Sequence, residues 1–172
     1  MPRPETDSPL DRLNTEPAER AEQALRACNA APRFAAELVA GRPYPSVDAL
    51  VEQAGRVSRS LSWAEVSEAL AGHPRIGARV EGDSAEAVSS RAEQAAMGDA
   101  DAQVRAAIVA GNQAYEQRFD TVFLIRAAGR TPAEMLAELE RRLSNSPEAE
   151  RAEVVEQLAQ ITALRVRGLV TP

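Results

Sequence analysis

Cysteine and histidine each occur once in this chain of 172 residues, as Cys28 and His73. A lone cysteine excludes an internal disulfide, which fits a reducing compartment and an expected cytoplasmic location. A lone histidine, with Cys28 far off in sequence, leaves no credible set of metal ligands. Positive charge is in deficit: the formal net charge is −6 and the isoelectric point about 5.0. That balance speaks against nucleic acid or an anionic membrane as partner, because both require a basic surface. A local group of arginines could still hold a small anion. No apolar run approaches the ~20 residues of a membrane span. What is present, 44% hydrophobic and 27% charged residues, describes one ordinary globular domain long enough to bury a core. The opening "MPRPETDSPLDRLNTEP" lacks the apolar segment of a signal peptide. It reads as a flexible, proline-rich arm over residues 1–12, ahead of a domain spanning 13–170. The closing "GLVTP" carries no targeting pattern.

The punctuation is helical almost throughout. A first helix is expected over Glu19 to Cys28. A second begins near Pro32, faces Phe34, Leu38 and Val39 inward, and ends at Gly41 in a left-handed stop. Ser46 caps a third, with Val47, Leu50, Val51, Ala54 and Val57 at helical spacing. "SWAE" is a capping box, Ser62 with Glu65, and starts a helix that Gly72 should end, leaving His73 just past its C-terminus. Residues 75–88 read as loop. Asp99 caps the next helix, with Val104, Ile108, Gly111, Tyr115 and Phe119 on one face. "TVFLI" at 121–125 has strand character but is too short to found a sheet. "TPAE" at 131–134 is a second capping box, opening a helix with Met135, Leu136 and Leu139 inward. Ser146 and Pro147 open the last helix, towards Val166. The expected fold is all-α, a single-domain bundle of about seven to nine helices of ordinary length.

Three places break the pattern. On the last helix Val154, Leu158 and Ile161 form the inward stripe, and its next position is Arg165, whereas Arg167 falls on the opposite face. A guanidinium on an apolar stripe needs a carboxylate, carbonyls or a ligand, unless it snorkels out near the helix end or pairs with a structural acid. In "SRAEQAAM", residues 90–97, Ser90, Glu93, Gln94 and Met97 share one face. They could line a polar pocket, yet Ser90 and Glu93 are also spaced as a capping box, with the alanines as the packed face. His73 is either an imidazole stabilised by a helix C-terminus or a general acid or base, since histidine alone titrates near neutrality without help. Pro74 pushes His73 towards an extended backbone, which would hold the ring off the helix end.

Taken together, "HPRIG" at 73–77, "SRAEQ" at 90–94, "NQAYEQRFDTVFLIRAAGR" at 112–130, "RRLSN" at 141–145 and "ITALRVRGL" at 161–169 stand in the order and spacing of a known family. Upstream, "CNAAPRFAAELVAGRPYPS" fits it in a form associated with bacterial members. The chain resembles 2-oxo-4-hydroxy-4-carboxy-5-ureidoimidazoline (OHCU) decarboxylase, over about residues 13–170. The resemblance implies an all-α homodimer that needs no cofactor and converts OHCU to (S)-allantoin with loss of carbon dioxide, in urate degradation. It implies His73, Glu93 and Arg165 as catalytic residues; helical phase separately prefers Arg165 to Arg167. It also implies substrate contacts from Pro74, Ser90 and Gln94 and from the run Phe123, Leu124, Ile125, Arg126 and Ala127. Two positions depart from the family: Arg75 stands where many members carry an acid, and Asp120 where a glycine is more usual. The competing readings are a non-catalytic helical interaction domain and a related lyase acting on another ureido acid.

Overall fold

The computed structural model describes residues 8–76 and 102–172, and among them every regular element is helical. The chain order is α1 (Pro9–Thr15), α2 (Ala18–Cys28), α3 (Pro32–Ala40), α4 (Val47–Ser60), α5 (Trp63–Leu70), α6 (Ala102–Phe119), α7 (Pro132–Arg142) and α8 (Pro147–Val170). Eight helices among the described residues fall within the expected seven to nine. No helix among these residues is long and apolar enough to cross a membrane.

The expected caps Ser46, Ser62 and Thr131 lie where the sequence puts them, whereas Asp99 lies outside the described residues. Ser46 accepts from the Ala49 N–H at 3.1 Å. Ser62 and Glu65 form a reciprocal box, at 3.3 and 2.7 Å. Thr131 and Glu134 form another, with Pro132 in the first turn. Each satisfies backbone donors that a helix start leaves open.

Two local expectations change. Helix α1 occupies part of the stretch read as an arm, because Ser8 and Asp11 form a capping box around Pro9. Its C-terminal carbonyls are then used: Arg42 donates to Leu13 O and Glu16 O at 2.8 and 2.9 Å. Gly41 ends α3 in a right-handed conformation, φ −80°, rather than a left-handed one. The glycine serves close approach instead, since a Cβ there would lie 2.5 Å from Tyr44 Oη, which itself donates to Leu38 O. The strand-like run at 121–125 belongs to no helix or strand, and no strand stands among the described residues, as its shortness led us to expect.

The described residues fall into two compact units. One comprises those up to Glu65 together with Ala159–Pro172; the other lies within Val66–Leu158. In the first, Leu25, Phe34, Leu38 and Leu50 are fully buried, and Asn29 donates to Thr162 on α8 at 3.2 Å. In the second, one apolar cluster joins Ile76, Ile108, Tyr115, Phe123, Ile125 and Leu139 with their neighbours. Cys28 is buried.

Candidate active site

His73 follows α5 directly. Its backbone N–H donates to Leu70 O at 2.9 Å, closing the last turn, and its residue surface is only 9% exposed. The next three residues are held against α6. The Arg75 guanidinium donates twice to Glu116, from Nε at 2.5 Å and from Nη2 at 2.8 Å. That guanidinium also holds the Glu116 carboxyl below its ordinary range. Asn112 Nδ2 donates to the buried Ile76 carbonyl at 3.1 Å. The arginine at position 75 therefore has a matching acid, one turn along α6 from Asn112.

The run Phe123–Ala127 lies in the same unit. Phe123, Ile125 and Ala127, at alternate positions, enter the cluster that contains Ile76. The backbone is fixed from two sides: Arg142 Nη1 donates to Leu124 O at 2.7 Å, and the Arg126 N–H donates to Gln157 Oε1 at 2.8 Å. Arg142 is wholly buried. It gives Nε and Nη2 to Glu150 at 2.9 and 2.6 Å and stacks 4.6 Å from the Phe123 ring centroid. Glu150 also accepts from the Tyr115 hydroxyl and from Asn145 Nδ2. Burial, reinforced by the bond to Glu150, pushes the Tyr115 phenol up and keeps it neutral. Asp120 takes a positive φ of 53°, in the left-handed region. Aspartate tolerates that region better than most side chains.

Arg165, in the first unit, is 7% exposed on the stripe that carries Val154, Leu158 and Ile161, while Arg167 is out in solvent and pairs with Asp48 at 2.7 Å. Helical phase thus separates the two arginines correctly. Thr162, one turn before Arg165, is anchored by Asn29. Ser90, Glu93 and Gln94 lie outside the described residues. His73, Pro74 and the 123–127 run share one unit; Arg165 belongs to the other. Among the described residues no group of three or more His, Cys, Asp or Glu is placed to hold a metal ion.

Sequence reading by periodicity stopped short at Arg142 and Glu150, although the signal was present. Met135, Leu139 and Arg142 continue one stripe of α7, and Glu150 begins the stripe of α8 that Arg165 later joins. Asn112 and Asn29 had no comparable signal, because a buried asparagine is recognised by the carbonyl or hydroxyl it meets.

An imidazole can carry a proton near neutral pH, and a buried guanidinium can hold a carboxylate or oxyanion with a fixed fork of donors. The chain is thus of the all-helical class, with a buried His73 and a buried Arg165 among its described residues. Its sequence matches the family model for OHCU decarboxylase over residues 14–167. It is 30% identical over 141 residues to the 2-oxo-4-hydroxy-4-carboxy-5-ureidoimidazoline decarboxylase of Amia calva, covering 81% of each chain. Identity to the Haloferax volcanii protein of the same name is 27%, covering 73% of each chain. The Arabidopsis thaliana uric acid degradation bifunctional protein is 27% identical, over 86% of this chain and 47% of that one. A crystal structure of OHCU decarboxylase in the presence of (S)-allantoin superposes with a TM-score of 0.72 at 24% identity, covering 86% of this chain and 97% of that one. This chain belongs to the OHCU decarboxylase family.

Proposed function

We propose that this protein decarboxylates OHCU to (S)-allantoin in urate degradation, using its own side chains without a cofactor. Family membership supports the reaction. The observation that carries the assignment of His73 is its burial on a segment pinned at Leu70 and at α6, which fits an imidazole held for one task. In OHCU the carboxylate sits on a ring carbon beside an imine-like system. The carbon–carboxylate bond breaks, its electron pair passes into the ring, carbon dioxide leaves, and a proton is taken up on one face. Such a reaction needs orientation, charge placement and facial selectivity.

In this reading His73 is the general acid that delivers that proton. Glu93 orients the imidazole or ureido arm and accepts the hydroxyl proton. Arg165 grips an anionic oxygen, a task suited to a rigid fork of donors. Pro74, Ser90, Gln94 and residues 123–127 bind the remaining edges of the substrate. The active species is a homodimer in the cytoplasm, and sedimentation velocity tests the assembly: a single species of monomer mass removes it.

The decisive assay generates OHCU in situ from urate and follows the circular dichroism of the allantoin formed. One enantiomer should accumulate rapidly, and His73→Ala should lower kcat by about 10²–10⁴-fold while KM changes far less. Racemic allantoin at the uncatalysed rate would overturn the activity. A fully active His73→Ala would remove His73 from the mechanism.

A further inference from the structure

We propose that Asn112 and Glu116 of α6 are positioning residues for His73, acting through the backbone of the segment Pro74–Ile76; this rests on His73 serving the decarboxylation. Ile108, Asn112 and Glu116 follow one another at four-residue intervals, so they form one stripe along α6. The stripe meets the post-histidine segment in three ways. Ile108 shares the apolar cluster with the Ile76 side chain, Asn112 takes the Ile76 carbonyl at 3.1 Å, and Glu116 takes the Arg75 guanidinium through two bonds.

Two features separate this clamp from ordinary packing. Asn112 is 4% exposed, and its Oδ1 is buried with no hydrogen-bond partner among the described residues. A buried amide with one end unsatisfied is a poor choice for stability alone, because the cost of its idle oxygen offsets what its single bond contributes. The residue is spent on one bond, to the carbonyl three residues beyond His73. Departures of this kind mark positions kept for something other than folding. The second feature is Pro74. Its ring fixes one torsion and narrows those of His73, so a displacement of Arg75 or Ile76 has few free rotations in which to dissipate before it reaches the imidazole.

The test is steady-state kinetics on OHCU, with thermal melting, for the parent, Asn112→Leu, Glu116→Ala, Glu116→Gln and His73→Ala. Misplacing a reacting group by about 1 Å costs on the order of 10²-fold, so Asn112→Leu should lower kcat about 10–100-fold with KM within about twofold and melting close to the parental temperature, since the stranded Ile76 carbonyl offsets the idle amide oxygen removed. Glu116→Ala, at a partly exposed ion pair, should lose about 3–10-fold in kcat. Glu116→Gln, which still accepts a hydrogen bond from Arg75, should recover part of that loss. Parental kcat in both Asn112→Leu and Glu116→Ala, alongside an inactive His73→Ala, would overturn the clamp and leave the catalytic reading standing. A parent inactive on OHCU, or a fully active His73→Ala, would overturn the catalytic reading itself. Should Asn112→Leu fail to fold, the Glu116 pair decides: full activity in Glu116→Ala overturns the clamp.

Discussion

At the scale of single residues, the charges inside this protein are its most exacting requirement. Arg142 and Glu150 are 0% and 2% exposed by side chain and are joined at 2.6 Å. Each is costly alone, and their environment is built to satisfy both: a backbone carbonyl and an aromatic face for the guanidinium, a phenol and an amide for the carboxylate. Arg142→Met should therefore destabilise by about 3–5 kcal/mol, most of it from the stranded Glu150 carboxylate. Arg142→Met combined with Glu150→Leu should recover a large part of that loss. Urea denaturation of the two variants checks this, and a single substitution costing under about 1 kcal/mol would contradict it. Arg142 also holds Leu124 O, so the single variant should disturb the 123–127 run as well as the core. Arg165 shows how far a sequence can go on such matters. Its burial followed from Ile161 and Leu158 by helical phase; what it serves did not, because burial demands a partner without naming one.

At the scale of elements, α6 and α7 show why a glycine stands where a helix former would be better. A Cβ at Gly111 would lie 2.5 Å from Leu139 Cδ2 and 3.1 Å from its Cγ. Leu139 is fully buried and cannot swing aside freely. Gly111→Ala gains about 1 kcal/mol in helix propensity but overpacks at about 1–3 kcal/mol, so a net loss of about 1 kcal/mol is expected. A denaturation midpoint equal to or above the parent's would show that the helices part without cost. Sequence placed Gly111 on the inward face of this helix, but the closeness that requires a glycine is set by α7. Helix existence was legible almost throughout, because capping boxes such as Ser62–Glu65 and Thr131–Glu134 are local. Helix α1 escaped notice because its box, Ser8 with Asp11, sits among prolines that read as an arm.

At the scale of the whole molecule, the chain contains no lysine, so every side-chain ammonium role falls to arginine. Surface ion pairs among the described residues accordingly include Arg33 with Glu37 and Glu65, Arg75 with Glu116, and Arg141 with Glu138 and Glu153. Hydrogen bonding to Arg33 lowers the Glu65 carboxyl from 4.5 to about 2, and guanidinium partners lower Glu116, Glu138 and Glu153 in the same sense. A depressed carboxyl favours the folded state above its unfolded pKa and loses that contribution as pH falls through the folded one. Stability should thus hold at neutral pH and decline from about pH 4.5 downwards, over a window that reaches about 2 for Glu65. Melting curves at about pH 6, 4 and 3 test this, and Arg33→Ala should flatten the acid limb by freeing Glu65. Equal melting temperatures at about pH 5 and 3 would refute it.

The sequence by itself determined the helical class, most helix starts, the burial of Arg165 against the exposure of Arg167, and the family, through motifs that stand in order along the chain. These are properties of neighbours within one or two helical turns, or of residues read one after another. The tertiary structure alone decided that Asn112 and Glu116 grip the residues after His73, that Arg142 and Glu150 tie down the 123–127 run, and that Asn29 anchors Thr162. Apart from Arg142 with Glu150, those bonds join residues far apart in the chain, from 18 positions for Arg142 and Leu124 to 133 for Asn29 and Thr162. No local period encodes such a pair. A polar side chain becomes a partner only once packing has brought a particular carbonyl, carboxylate or hydroxyl within hydrogen-bonding distance.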